Sequence, residues 1–140
     1  MATTKITGLS GTISVTDAGT NYQNIGNDIT NYAFTMPRGT EDVTGMNKFA
    51  HEQLLLLTDF TVTFNGVFDP GPNLSHSVFS TVSGTSVTRS ISISPTSVTA
   101  TPVITTNCLI TDYQITRANT AELTWQVPAQ LADGNVPTWA

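Results

Sequence analysis

An all-β domain with one short helix is the fold class this sequence predicts, an antiparallel β-sandwich or barrel of about seven to eight strands. Three observations carry that reading. Charged residues are only 11% of the 140 residues, against roughly 25% in ordinary soluble domains, while hydrophobic residues stand at 39%. Thr and Ser fill the difference, at roughly a quarter of the chain, and Thr is β-branched and favours strands. Short runs of alternating apolar and hydroxyl residues recur between clusters of Gly, Pro, Asn and Asp. The length suits a single domain spanning 1–140 with one core and no covalent staples.

In order, residues 11–16 place Ile13 and Val15 against hydroxyls as a half-buried strand, and 17–27 read as a loop from Asp17, Gly19, Asn21, Asn24, Gly26 and Asn27. A strand over 28–36 carries Ile29, Phe34 and Met36 and stops at Pro37. A long loop is expected over about 38–57, ending in a short helix or running into a strand. So long an irregular stretch in a compact domain implies a task for it. Residues 59–68 alternate clearly, with Phe60, Val62 and Phe64 on one face, and Asp69-Pro-Gly-Pro ends them. Leu74, Val78 and Val82 then recur at helical spacing, so a helix at about 73–83 should pack on a sheet and stop at Gly84. Strands resume over 87–94, 98–101, 106–115 and 122–129, the last two joined as a hairpin through Arg117-Ala-Asn-Thr120.

Catalytic chemistry does not appear. His51-Glu52 lacks the second zincin histidine, because Leu55 stands there, and no Gly-x-Ser-x-Gly elbow accompanies His76 and the many serines. Glu41-Asp42 are neighbours, which in a strand point to opposite faces, so they do not form an acid–base pair. The lone Cys108 excludes an intrachain disulfide framework and a cysteine-cluster zinc site. No phosphate-binding glycine loop or dinucleotide fingerprint is present. The expectation is a non-enzyme without cofactor, catalytic residues or metal.

Net charge is −5, and the five cations (Lys5, Arg38, Lys48, Arg89 and Arg117) are too scattered for a basic face that holds nucleic acid. The longest conspicuous apolar run, Leu54–Leu57, is far short of the about 18 residues of a membrane span, so no membrane binding is expected. Met1-Ala-Thr-Thr-Lys-Ile6 lacks the apolar core of a signal peptide, which leads us to expect folding in a cytoplasm.

The order of three segments is distinctive: Gly26-Asn-Asp-Ile-Thr-Asn-Tyr32, Glu41-Asp-Val-Thr-Gly-Met46, and Leu57-Thr-Asp-Phe-Thr-Val-Thr-Phe-Asn-Gly-Val-Phe-Asp69. Followed by a short helix and a hydroxyl-rich strand at 122–127, it resembles the major tail proteins, or tail tube proteins, of long flexible-tailed bacteriophages. The resemblance covers roughly residues 11–139, and its specificity lies in order and spacing rather than in any single motif. Two features depart from the family pattern: Leu54–Leu57 replaces the frequent Pro-Gly-Leu or Ala-Gly-Leu, and only Lys48 and Glu52 represent the loop's usual Arg and Glu.

The resemblance implies a sandwich of two antiparallel sheets flanked by one helix. It further implies six copies per ring and rings stacked into a hollow tube that delivers phage DNA into the host. The protein would be a structural component of the virion tail, assembled in the host bacterial cytoplasm. Its partners would be itself, a tape-measure protein and tail-end or terminator proteins, with DNA as a transient, non-sticking cargo. The contact loop between subunits or rings would include Arg38, Glu41, Asp42, Met46, Lys48, Phe49 and Leu54. If each subunit gives four strands, about 24 strands at about 4.8 Å spacing and about 40° tilt make a bore of about 38 Å. The expected wall presents hydroxyls and amides with the acids Asp59, Asp112 and Glu122 among them. Arg89 and Arg117 should face outward or pair with acids at subunit contacts. A rival of another class is a capsid decoration protein or a carbohydrate-binding sandwich, whose mark would be an exposed cluster drawn from Tyr22, Tyr32, Tyr113, Trp125 and Trp139.

Overall fold

A computed structural model describes residues 11–85, 87–95, 102–120 and 122–139. Strands β1 (Thr12–Thr16), β2 (Tyr22–Asn24) and β3 (Ile29–Thr35) precede a two-stranded arm, β4 (Arg38–Asp42) and β5 (Gln53–Thr58). Then come β6 (Thr61–Val67), the helix α1 (Ser75–Phe79), β7 (Arg89–Ser94), β8 (Ile104–Ile110), β9 (Gln114–Arg117), β10 (Leu123–Leu131) and β11 (Thr138–Trp139). The protein is all-β with one short helix.

Nine strands join in one antiparallel sheet, ordered β2-β1-β7-β8-β10-β6-β3, with β11 on β8 and β9 on β10. The long strand β10 is where the sheet divides into layers. Its first half, Leu123–Gln126, pairs β9 on one edge, while Ala129–Leu131 pairs β8 on the same edge. Its other edge pairs β6 throughout, from Thr124 on Val67 to Gln130 on Thr61. The apolar faces of both halves meet in a single core, Val15, Ile91 and Ile93 from one side and Phe64, Trp125 and Val127 from the other. The period-2 alternation of β6 and β7 puts Val62, Phe64, Ile91 and Ile93 inward, with relative exposures of 1% or less.

α1 closes one opening of this core with Val78 and Phe79, the latter ring lying 5.3 Å from that of Trp125. Asp28, itself buried, accepts a hydrogen bond from the Ser75 amide at the helix start (3.1 Å). Arg89 grips the other end. Its Nη1 donates to the carbonyl oxygens of Val78 (2.9 Å) and Thr16 (3.0 Å), and its Nη2 to Thr81 Oγ1 (3.0 Å).

Four expectations are corrected. The stretch 38–57 is a β-hairpin rather than a loop, because Thr40, Glu41 and Asp42 pair with Leu55, Leu54 and Gln53. The helix is five residues, followed by a 3-10 turn at Val82–Gly84 rather than running over 73–83. Its hydroxyl-rich segment propagates helix poorly, and the Val78 carbonyl is taken by Arg89. The loop at 17–27 contains the edge strand β2 and a 3-10 turn at Gly26–Asp28. Arg89 does not face outward: it is 1% exposed, and burial pulls its guanidinium below the ordinary value, with Asp17 acting in the opposite direction. The expected strand at 98–101 lies outside the described residues.

Arg89→Lys keeps the charge and loses the planar fork that reaches three oxygens. We expect a loss of about 2 kcal/mol, two net hydrogen bonds with a buried carbonyl left short of a donor. A urea midpoint that falls with an unchanged slope checks it; an unmoved midpoint would show that the fork does not hold the helix.

Candidate assembly interface

The arm leaves the body at the end of the β3–β6 ladder. Thr35 pairs with Thr61, and just beyond, the Asp59 amide donates to the Pro37 carbonyl (2.9 Å), so β4 and β5 prolong that hairpin outward. Arg38 Nε donates to the Leu56 carbonyl at the arm's base (3.0 Å). At the far end the Val43 amide donates to the Glu52 carbonyl, the Glu52 amide to Thr44 Oγ1, and the Thr44 hydroxyl and amide to Asp42. Those Thr44 donors hold the Asp42 carboxyl below the usual carboxylate range. Lys48 lies 3.4 Å from Glu52, and His51 Nδ1 3.4 Å from Asp42. Local hydrogen bonds and polar side-chain contacts therefore shape the tip.

Apolar packing does not. Every residue from 38 to 57 is exposed, with Met46 and Phe49 at 106% and 107% and Leu57 at 92%. Leu54, Leu55 and Leu56 are also exposed, and since successive residues of a strand alternate, both faces of β5 are apolar and bare. At the base, Leu55–Leu57 join Arg38 and Val136 around an open groove of about 900 Å³. A two-stranded ribbon is marginal in water by itself, and a bare apolar ribbon of this kind marks an interaction surface.

All seven residues expected in the contact loop lie on this arm: Arg38, Glu41 and Asp42 on β4, Met46, Lys48 and Phe49 at the tip, Leu54 on β5. The three expected wall acids are exposed but lie in turns at strand ends rather than on a sheet face. Asp59 accepts from the Phe60 amide before β6, Asp112 from the Tyr113 amide before β9, and Glu122 precedes β10. Arg117 is exposed at the end of β9, opposite Leu123.

The aromatic residues weighed for sugar stacking are largely committed to internal contacts. Trp125 is 2% exposed and donates Nε1–H to the Val67 carbonyl (2.8 Å), Tyr113 packs on Phe79 and His76, and Tyr32 stacks on Phe34. Trp139 lies 5.9 Å from the Phe34 ring. Among the described residues no group of three or more His, Cys, Asp or Glu is placed to hold a metal ion, and no helix is long and apolar enough to cross a membrane.

Cys108 is fully buried, and burial pushes its thiol up to about 12. The folded state thus disfavours the thiolate, and its stability falls as pH rises from the ordinary thiol value of 9.0 towards about 12. A disulfide-forming chromogenic reagent at mildly alkaline pH should find no reactive thiol in the native protein and one after denaturation; rapid native reaction would contradict this burial.

No family model matches the chain, and no curated protein matches it. Solved structures do. A chain in the tail of an empty gene transfer agent particle, reconstructed with C6 symmetry, superposes with a TM-score of 0.77 at 12% identity, over 97% of this chain and 99% of that one. A chain in the virion of the native gene transfer agent particle gives 0.75 with the same identity and coverage. The fold of this protein, over nearly its whole length, is the one found in those chains of gene transfer agent particles.

Proposed function

We propose that this protein is a structural tail-tube subunit that forms six-membered rings, which stack into a hollow tube for delivering phage DNA into the host. The observation that carries the reading is the arm: an ordered hairpin whose apolar residues are all bare, on a fold shared with a tail of C6 symmetry. A monomer gains nothing from such an arm, whereas a neighbouring copy that covers it removes the exposed apolar area from water. Leaving the body along the β3–β6 direction, the arm projects beyond the sheet's end and so towards the next ring. The tape-measure protein inside the tube and terminator proteins at its ends complete the set of partners, with DNA passing through and not retained. The place of work is the virion tail, assembled in the bacterial cytoplasm, and the chemistry is assembly rather than catalysis.

The mass in solution tests it. The reading requires species built on six chains of 14.9 kDa, about 89 kDa per ring and multiples of it, increasing with protein concentration. A monomer at every concentration would overturn it.

A further inference from the structure

Four strands of the body, in the order β3-β6-β10-β9, form one layer in which each is antiparallel to the next. An even number means that its two outer strands, β3 and β9, run in opposite directions. Both outer edges lack a strand partner among the described residues. Rotation about a ring axis preserves strand direction, so β9 of one copy meets β3 of the next antiparallel, and six copies close about 24 strands without a reversal. β3 carries neither charge nor proline, the usual guards of a solvent-facing edge.

The face of this layer turned away from the core has an unusual chemistry. Asn31, Asn65, Gln126 and Gln114 stand in register, one on each strand, as an unbroken row of carboxamides across the whole layer. Asn65 Nδ2 donates to Asn31 Oδ1 (2.7 Å) within the row. Beside it lie Thr63 between Ala33 and Pro128, and on the other flank Thr124 beside Thr116; nearer the arm Thr35 and Thr61 share a hydrogen bond of 3.1 Å. No outward position of these four strands is Asp, Glu, Lys, Arg or His, although the chain has ten acids and five Lys or Arg. The acids Asp59 and Asp112 sit at one end of the layer and Glu122 at the other.

Resting on the reading of the protein as a ring-forming tube subunit, we infer that this layer lines the bore, its β3 and β9 edges joined between copies, and that the wall facing DNA is an uncharged surface of carboxamides and hydroxyls. The four carboxamides of the row make 24 per six-membered ring, in six inclined segments because barrel strands tilt. Phosphates bind proteins chiefly by releasing counterions to Lys and Arg, and no outward position of this wall offers one; the exposed Arg117 stands at the last position of β9, opposite Leu123 and in the opposite phase to the row. The wall also has no carboxylate to repel the duplex, and part of its donor capacity is spent on neighbouring side chains. On this inference Asp59, Asp112 and Glu122, expected in the wall, fall at the rims of each ring.

The test uses assembled tubes and engineered thiols, since the native Cys108 is buried. Gln126→Cys marks the inferred wall, with Gln114→Cys as a second position on it, and Thr105→Cys, exposed on β8, marks the opposite layer. A maleimide on a polyethylene glycol too large to enter the bore should label all three in dissociated protein. In intact tubes Gln126→Cys and Gln114→Cys should lose that labelling while Thr105→Cys keeps it, and a small maleimide should still reach all three. Bulky labelling of both wall positions in tubes, or protection of Thr105→Cys alone, would overturn the inference while leaving the tube intact. Should the variants not assemble, a reconstruction of wild-type tubes decides the same point by showing which layer faces the lumen. No tubes from the wild-type protein would instead overturn the tube reading, and this inference with it.

Discussion

Deleting residues 43–52, the tip of the arm, is expected to leave a folded body that no longer stacks. The core draws on none of those residues, so the melting transition of the body should survive. Met46 and Phe49 are fully exposed in the single chain, and each is worth roughly 1.5–3 kcal/mol when fully buried. Repeated six times at a ring junction, the two supply about 18–36 kcal/mol before ordering and association costs are subtracted. Phe49→Asp should reproduce most of the effect without shortening the chain, because it places six carboxylates where an apolar contact belongs. Circular dichroism and calorimetry report the fold, and electron micrographs report the tubes. A deletion variant that polymerises normally would remove the arm from the assembly mechanism.

Gly66→Ala is expected to produce the largest loss of stability among single substitutions on the sheet. A Cβ at that position would stand 2.2 Å from the Asp28 carbonyl oxygen and 2.5 Å from the Trp125 ring, in a site with no flexible neighbour to yield. Trp125 is held from its other side by the Phe79 ring and by its bond to the Val67 carbonyl. Overpacking of this kind costs about 3 kcal/mol or more, and the melting temperature should fall by roughly 10 °C. Gly84→Ala is the control, since a Cβ there meets nothing within 4 Å. Differential scanning calorimetry of the two variants separates a packing requirement from a general effect of replacing glycine; equal transitions would contradict the packing described.

Much of the body is legible in the sequence because one face of each strand is buried. β6 reads as a strand from Phe60, Val62 and Phe64 alone, and the β9–β10 hairpin from the turn after Arg117. The arm is not legible for a physical reason. Leu54–Leu57 is a continuous apolar run, which ordinarily means burial on both sides, yet both sides are exposed and none of the described residues buries them. Arg89 left a signal in the sequence: it shares the inward phase of Ile91 and Ile93, two residues apart along β7. Asp28 and the row from Asn31 to Gln114 left none. They become partners only through the register of strands far apart in the chain, and a register is a property of pairs of strands rather than of any one.

Electron cryomicroscopy of the purified, concentrated protein tests the central claim most directly. The account predicts stacked rings with sixfold symmetry around a bore of about 38 Å, with each arm crossing the junction between rings and covering its leucines, Met46 and Phe49 against a neighbouring copy. Isolated particles with no stacking, or a tube whose arms stay uncovered in solvent, would contradict it.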